Sequence, residues 1–189
     1  MRLLPIPIRS HTMDSVQEQH EQGVGDRFAE WLSRTSASPC RFLRRADRAP
    51  DLVYSFRGRE LLVEITAAYY DSSHAKFLWK TAKAATDAPH GWSGANPDRS
   101  LAKAIAECID QKSKKRYGDN TILLIDIPPS NTSAERLAEL LVGQPPPPVT
   151  PFVGIFVAGT FPIVYGTPPR TDNSAGGYRV IPIKSMALT

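Results

Sequence analysis

The stretch "APDLVYSFRGRELLVEIT", residues 49–66, decides how the chain folds. Two runs rich in β-branched and aromatic residues flank Arg57-Gly58, which predicts two antiparallel strands joined by a tight turn. A two-residue turn sets Phe56 against Arg59, and counting back from it sets Asp51 against Glu64. Side chains alternate faces along a strand, so Leu52, Tyr54, Phe56, Leu61, Val63 and Ile65 share one face, the core side. The opposite face holds Asp51 and Glu64 together with the apolar Val53 and Leu62. Directly opposed residues have Cβ atoms about 5 Å apart, and two like charges at that spacing repel. Either a divalent cation held by carboxylate oxygens compensates them, or both acids sit at a solvated rim. The hairpin alone leaves both options open.

Working outward, the composition is that of a soluble globular protein. Of 189 residues, 41% are hydrophobic and 22% charged, enough for one domain with its own core. A net charge of +4 permits a polyanionic partner without demanding one. Cys40 and Cys108 stand far apart and without metal-ligand spacing, which fits a reducing, cytoplasmic setting. "MRLLPIPIRS" is too short and too broken by proline for a signal peptide, and no run approaches the length of a membrane span. An N-terminal arm is expected over residues 1–13. A helix is expected from Asp14, with Gln17 three residues on as a capping pattern, to about Leu32, with Val24, Phe28 and Leu32 on its apolar stripe. Glu21 lies on that stripe. "CRFLRR" reads as a short strand, "SSHAKFLWKTAKAATDA" as a helix, Pro97 to Tyr117 as a long helix stopped by Gly118, and "TILLIDI" as a buried strand. Ser133–Val142 reads as a short helix and "QPPPPVTP" as a semi-rigid spacer. "PFVGIFVAG" and "FPIVYG" suggest a hairpin, and "YRVIPI" a last edge strand. Residues 14–143 then form the core, and residues 144–189 the proline-rich linker and strands completing the same domain.

The order is helix with an inward acid, strand, strand opening on Pro50-Asp51, strand carrying Glu64-Ile65-Thr66, helix, strand. This resembles the PD-(D/E)XK nuclease superfamily over residues 14–127. The resemblance implies an α/β, restriction-endonuclease-like three-layer sandwich, a central mixed sheet flanked by helices. It also implies Mg²⁺-dependent hydrolysis of nucleic acid phosphodiesters, with Mn²⁺ able to substitute. Asp51 and Glu64 are then the metal ligands and Glu21 the assisting acid. A role in bacterial defence or DNA processing and a homodimeric state belong to the same implication.

The chain departs from that family at one point. Thr66 stands where the family places a lysine, on the same face as Glu64. A hydroxyl holds a water but supplies no charge. Leu101, Ile105, Cys108, Ile109 and Lys112 follow helical spacing, so Lys112 extends an apolar face inward and is the candidate replacement, with Lys115 second. The simpler reading of Lys112 is a stem buried at a helix end with its ammonium in water. The catalytic set is therefore Asp51, Glu64, Thr66 and Lys112, and the alternative function is a catalytically inactive module of the same fold that binds nucleic acid or a protein. Arg41, Arg44, Arg45 and Arg48, the Lys76-Lys80-Lys83 stripe, and Lys112 to Arg116 are basic clusters suited to phosphates or simply to solvent. Tyr69 and Tyr70 suit base stacking or core packing. "GWSGA" around Ser93 misses the nucleophile-elbow pattern, His74 and His90 lack zinc spacing, and His11 and His20 read as exposed helix-flank residues.

Overall fold

The computed structural model describes residues 16–70, 76, 80–81, 96–129, 132–162 and 177–186. Most of the expected helix over "SSHAKFLWKTAKAATDA" and most of "FPIVYG" lie outside them. The described chain runs α1 (Val16–Ser36), β1 (Cys40–Arg45), β2 (Leu52–Phe56), β3 (Arg59–Ala67), α2 (Pro97–Ser113), β4 (Thr121–Ile127), α3 (Ala134–Val142), β5 (Gly154–Thr160) and β6 (Tyr178–Lys184). Six strands form one sheet in chain order. The pairs β1–β2, β2–β3 and β5–β6 are antiparallel, and β3–β4 and β4–β5 are parallel. The architecture is an α/β three-layer sandwich, as expected, with a mixed central sheet.

Each face of the sheet buries its own core. One cluster packs Val24, Phe28 and Leu32 of α1 against Leu52, Tyr54, Phe56, Leu61, Val63 and Ile65, the face read from the alternation, and against Ile122 and Leu124 of β4. The other packs Leu101, Ile105 and Ile109 of α2 and Leu137 and Leu141 of α3 against Leu123, Ile125, Ile155 and Val157. The continuous apolar runs of β4 and β5 follow from burial on both faces; all seven residues of β4 are buried. Gly25 lets α1 approach closely, because a Cβ there would collide with the Leu52 and Tyr54 side chains.

The hairpin register is the one obtained by counting. Phe56 pairs with Arg59 and Leu52 with Val63. Arg57 and Gly58 both take positive φ, 49° and 75°, the conformation of a two-residue turn matched to strand twist. Several boundaries differ from expectation: α1 runs on to Ser36, past the expected end near Leu32, and β5 begins only at Gly154. The long helix stops at Ser113, not Tyr117, because the run Lys114 to Arg116 offers no apolar residue for the core and Lys115 donates its backbone N–H to Lys112 in a closing turn. The strand beside β5 is β6, and Phe161 and Pro162 have no strand structure. Among the described residues no helix is long and apolar enough to cross a membrane.

Candidate active site

The site is built where β2 begins and β3 nears its end. One step beyond the Leu52–Val63 pair, the register sets Asp51 beside Glu64. The Asp51 backbone N–H donates to the Val63 carbonyl at 3.1 Å, and the Ile65 N–H donates to Asp51 Oδ2 at 2.7 Å. Burial pushes the Asp51 carboxyl up to about 6; the Ile65 N–H opposes this, and the charges of Glu64 and Glu21 add to it. Glu64 faces α2 and is 4% exposed. A carboxylate that deep requires partners. Lys112 Nζ lies 2.6 Å from its Oε1, and Tyr117 Oη donates to the same oxygen at 3.2 Å. Its Oε2 is buried, and no hydrogen-bond donor among the described residues reaches it.

The structure therefore brings Asp51, Glu64 and Lys112 together. The lysine comes from α2, on the apolar stripe that points its last turn at the sheet. Thr66 lies on the same side, one strand repeat beyond Glu64, and contacts Cys108 of α2; burial raises the Cys108 thiol, with the Thr66 hydrogen bond opposing. Glu21 stands apart from the two hairpin acids. Its Oε2 pairs with Arg45 Nη1 at 2.8 Å, and Gln17 donates to its Oε1 at 2.9 Å. Among the described residues, no three His, Cys, Asp or Glu side chains form a group able to hold a metal. The arginine cluster before Asp51 is partly committed, since Arg45 also donates to the Glu18 carbonyl and Arg44 pairs with Glu60. Tyr70 is buried, as core packing requires.

Two features escaped the sequence reading. Tyr117 reaches Glu64 because α2 ends early and the chain turns back before Gly118; the only signal was an aromatic residue alone in a polar run. His20 is half exposed, as expected of a helix flank, but its Nε2 lies 3.1 Å from Asp126 Oδ2. That contact joins residues 106 positions apart, and no local pattern marks it.

The donor chemistry bears on the cation implied by the family resemblance. Two adjacent carboxylates share one lysine, and one Glu64 oxygen has no donor among the described residues. Hard oxygen ligands with one uncompensated charge fit Mg²⁺ or Mn²⁺. The fit rests on two acids, because the Glu21 charge is already paired with Arg45.

No protein-family model matches the chain, and no curated protein matches it. Among solved structures, SfsA of Pyrococcus furiosus, determined in complex with Ca²⁺, shares 11% identity with a TM-score of 0.26. The match covers 88% of this chain and 64% of that one, so the present chain spans less than two thirds of SfsA.

Proposed function

We propose that the protein is a Mg²⁺-dependent phosphodiester hydrolase acting on nucleic acid, of the PD-(D/E)XK type, with a Glu-x-Thr variant of the motif. The observation that carries this reading is the Asp51–Glu64 pair with Lys112 Nζ at 2.6 Å from the buried Glu64. Asp51 and Glu64 would hold the ion, and Glu21 would assist them only on leaving its pair with Arg45. When bound, the ion supplies a Lewis acid and a water of lowered pKa. Lys112 fixes the Glu64 carboxylate and places a positive charge where the phosphoryl group gains negative charge. Tyr117 holds the same carboxylate oxygen and limits its rotation. The Thr66 hydroxyl, two residues after Glu64, orients water without supplying charge.

A second reading has its own support. Lys112 and Tyr117 both bind Glu64 Oε1, and Arg45 and Gln17 both bind Glu21, which are the contacts of a scaffold whose acids already have protein partners. On that reading the protein is a non-catalytic module that binds nucleic acid or a protein.

Cleavage of plasmid, single-stranded DNA and RNA with Mg²⁺, Mn²⁺ or EDTA separates the two. The Asp51→Asn and Glu64→Gln proteins keep side-chain volume and run beside the wild type. Hydrolysis requires metal-dependent cutting that falls about a hundredfold or more in both variants. Cutting that survives both substitutions overturns the site assignment. Absence of cutting by folded wild type, with salt-dependent nucleic-acid retention, selects the binding module.

A further inference from the structure

A second polar cluster sits on the opposite face of the sheet, beside α1. It lines a cavity of about 280 Å³ at the carboxyl ends of the three parallel strands, touching Tyr69 after β3, Asp126 to Pro129 at the end of β4, and Gly159 and Thr160 at the end of β5. In open α/β sheets this is the end where loops diverge and leave a crevice for a ligand. The carboxyl end of β4 makes the wall rigid, since Pro128 and Pro129 follow the strand directly.

The chemistry of the lining is specific. Most of the wall is apolar, formed by Ile127, the two prolines and the rings of Tyr69 and Tyr178. At the mouth, the Arg27 guanidinium lies 5.3 Å from the centre of the Tyr178 ring, a cation–π arrangement that orients the side chain. His20 presents its imidazole there, hydrogen-bonded to Asp126, which favours the protonated ring. The Arg27 guanidinium and, when protonated, the His20 imidazole thus face one carboxylate at an apolar opening. Inside, Tyr178 is 8% exposed, and its hydroxyl is buried with no hydrogen-bond partner among the described residues. A buried hydroxyl without a partner loses a hydrogen bond's worth of free energy unless something polar enters.

We propose that this cavity binds a small molecule with a flat apolar body and one anionic group, a carboxylate or a phosphate monoester, held by Arg27 and His20 and hydrogen-bonded by the Tyr178 hydroxyl. Size supports a small ligand, since the volume lies at the lower end of small-molecule sites. With His20 protonated, Arg27 and His20 outnumber the Asp126 carboxylate and favour an anion over a cation or a neutral molecule. The site does not depend on the hydrolase reading: it uses none of Asp51, Glu64, Thr66 or Lys112.

Two aromatic anions, benzoate and phenyl phosphate, and the neutral isostere benzamide test it on the full-length protein. The readout is the His20 ring resonance in NMR. Both anions, or phenyl phosphate alone if the anion is a phosphate, should shift that resonance saturably with Kd on the order of 1 mM, as expected for ligands of so few atoms. Benzamide should bind at least about tenfold more weakly. Arg27→Gln, on an exposed side chain, should weaken the anions about tenfold, and Tyr178→Phe, which keeps the ring, about fivefold. A His20 resonance unmoved by either anion, benzamide binding as well as the anion that binds, or anion binding unchanged in Arg27→Gln each overturns the proposal.

Discussion

Two acids on neighbouring central strands meet opposite fates. Glu64 of β3 faces α2, is buried, and is held by a lysine and a tyrosine. Asp126 of β4 faces α1 near the strand end and is held by a half-exposed histidine. The strands pair with Glu64 opposite Leu123 and Ala67 opposite Asp126, so the acids stand three residues apart along the strand direction and on opposite faces. That offset decides their chemistry. The interior position demands a permanent cation, because an unpaired charge there is costly. Asp126 is buried as well, but its partner His20 is half exposed, so water reaches the histidine and a titrating partner is tolerated. Glu21 links the two regions, since its charge raises both the Asp51 carboxyl and the His20 imidazole.

The contrast predicts unequal responses to mutation. Lys112→Met leaves Glu64 buried without its counter-charge and should cost about 3 kcal/mol or more in urea unfolding. The Lys112→Met/Glu64→Gln double variant should regain much of that loss. A single-variant cost below about 1 kcal/mol would show that the buried pair is wetter than its geometry implies. Tyr117→Phe removes one hydrogen bond from the same oxygen and should cost about 1 kcal/mol, with a larger effect if Glu64 depends on it for orientation.

The remaining two predictions concern pH. The Asp51 carboxyl is raised from its ordinary 3.8 to about 6, so its protonated form is favoured in the folded state. Its contribution is full below about pH 4 and is lost as pH rises through about 6. Asp51→Asn should therefore gain stability relative to wild type across that window, while losing any metal-dependent activity. A Tm difference that stays flat between pH 4 and 7 would remove burial as the cause of the shift. The His20 imidazole is raised by its hydrogen bond to Asp126. The pair's stabilisation is present below pH 6.5 and is lost as pH rises through the higher folded-state value. His20→Asn should abolish that loss, with the smallest effect of the four because the histidine is half exposed.

Much of this arrangement is legible in the sequence, and the reasons are local. The Arg57-Gly58 turn pins the register, and alternation then places every hairpin side chain on its face, including Glu64. Helical spacing from Leu101 carries Lys112 inward, and the structure brings it to Glu64. What was not legible depends on distant packing. Tyr117 requires knowing where α2 stops, and polar residues such as Lys114 to Arg116 continue a helix or leave it equally well. His20 and Asp126 meet only because α1 lies across the end of β4. The engagement of Glu21 by Arg45 arises in the same way, from β1 running under α1, and the inward stripe alone could not reveal it.

The borders of the sheet carry a further consequence. Among the described residues β1 and β6 are the outermost strands, and an outermost strand presents a row of backbone groups to an incoming chain. On β1 the pairing with β2 is interrupted between Phe42 and Arg44, and Arg41, Arg44 and Arg45 crowd charge onto six residues. On β6, Pro182 removes a backbone donor, and the pairing shifts between Ile155 and Phe156. Both borders are therefore poor templates for an incoming strand. Such borders guard a sheet whose strands β4 and β5 are almost wholly buried against strand-by-strand self-association when the chain is concentrated. The arginines of β1 thus bear on how an edge meets an incoming strand, apart from the ion pairs they make with Glu60 and Glu21.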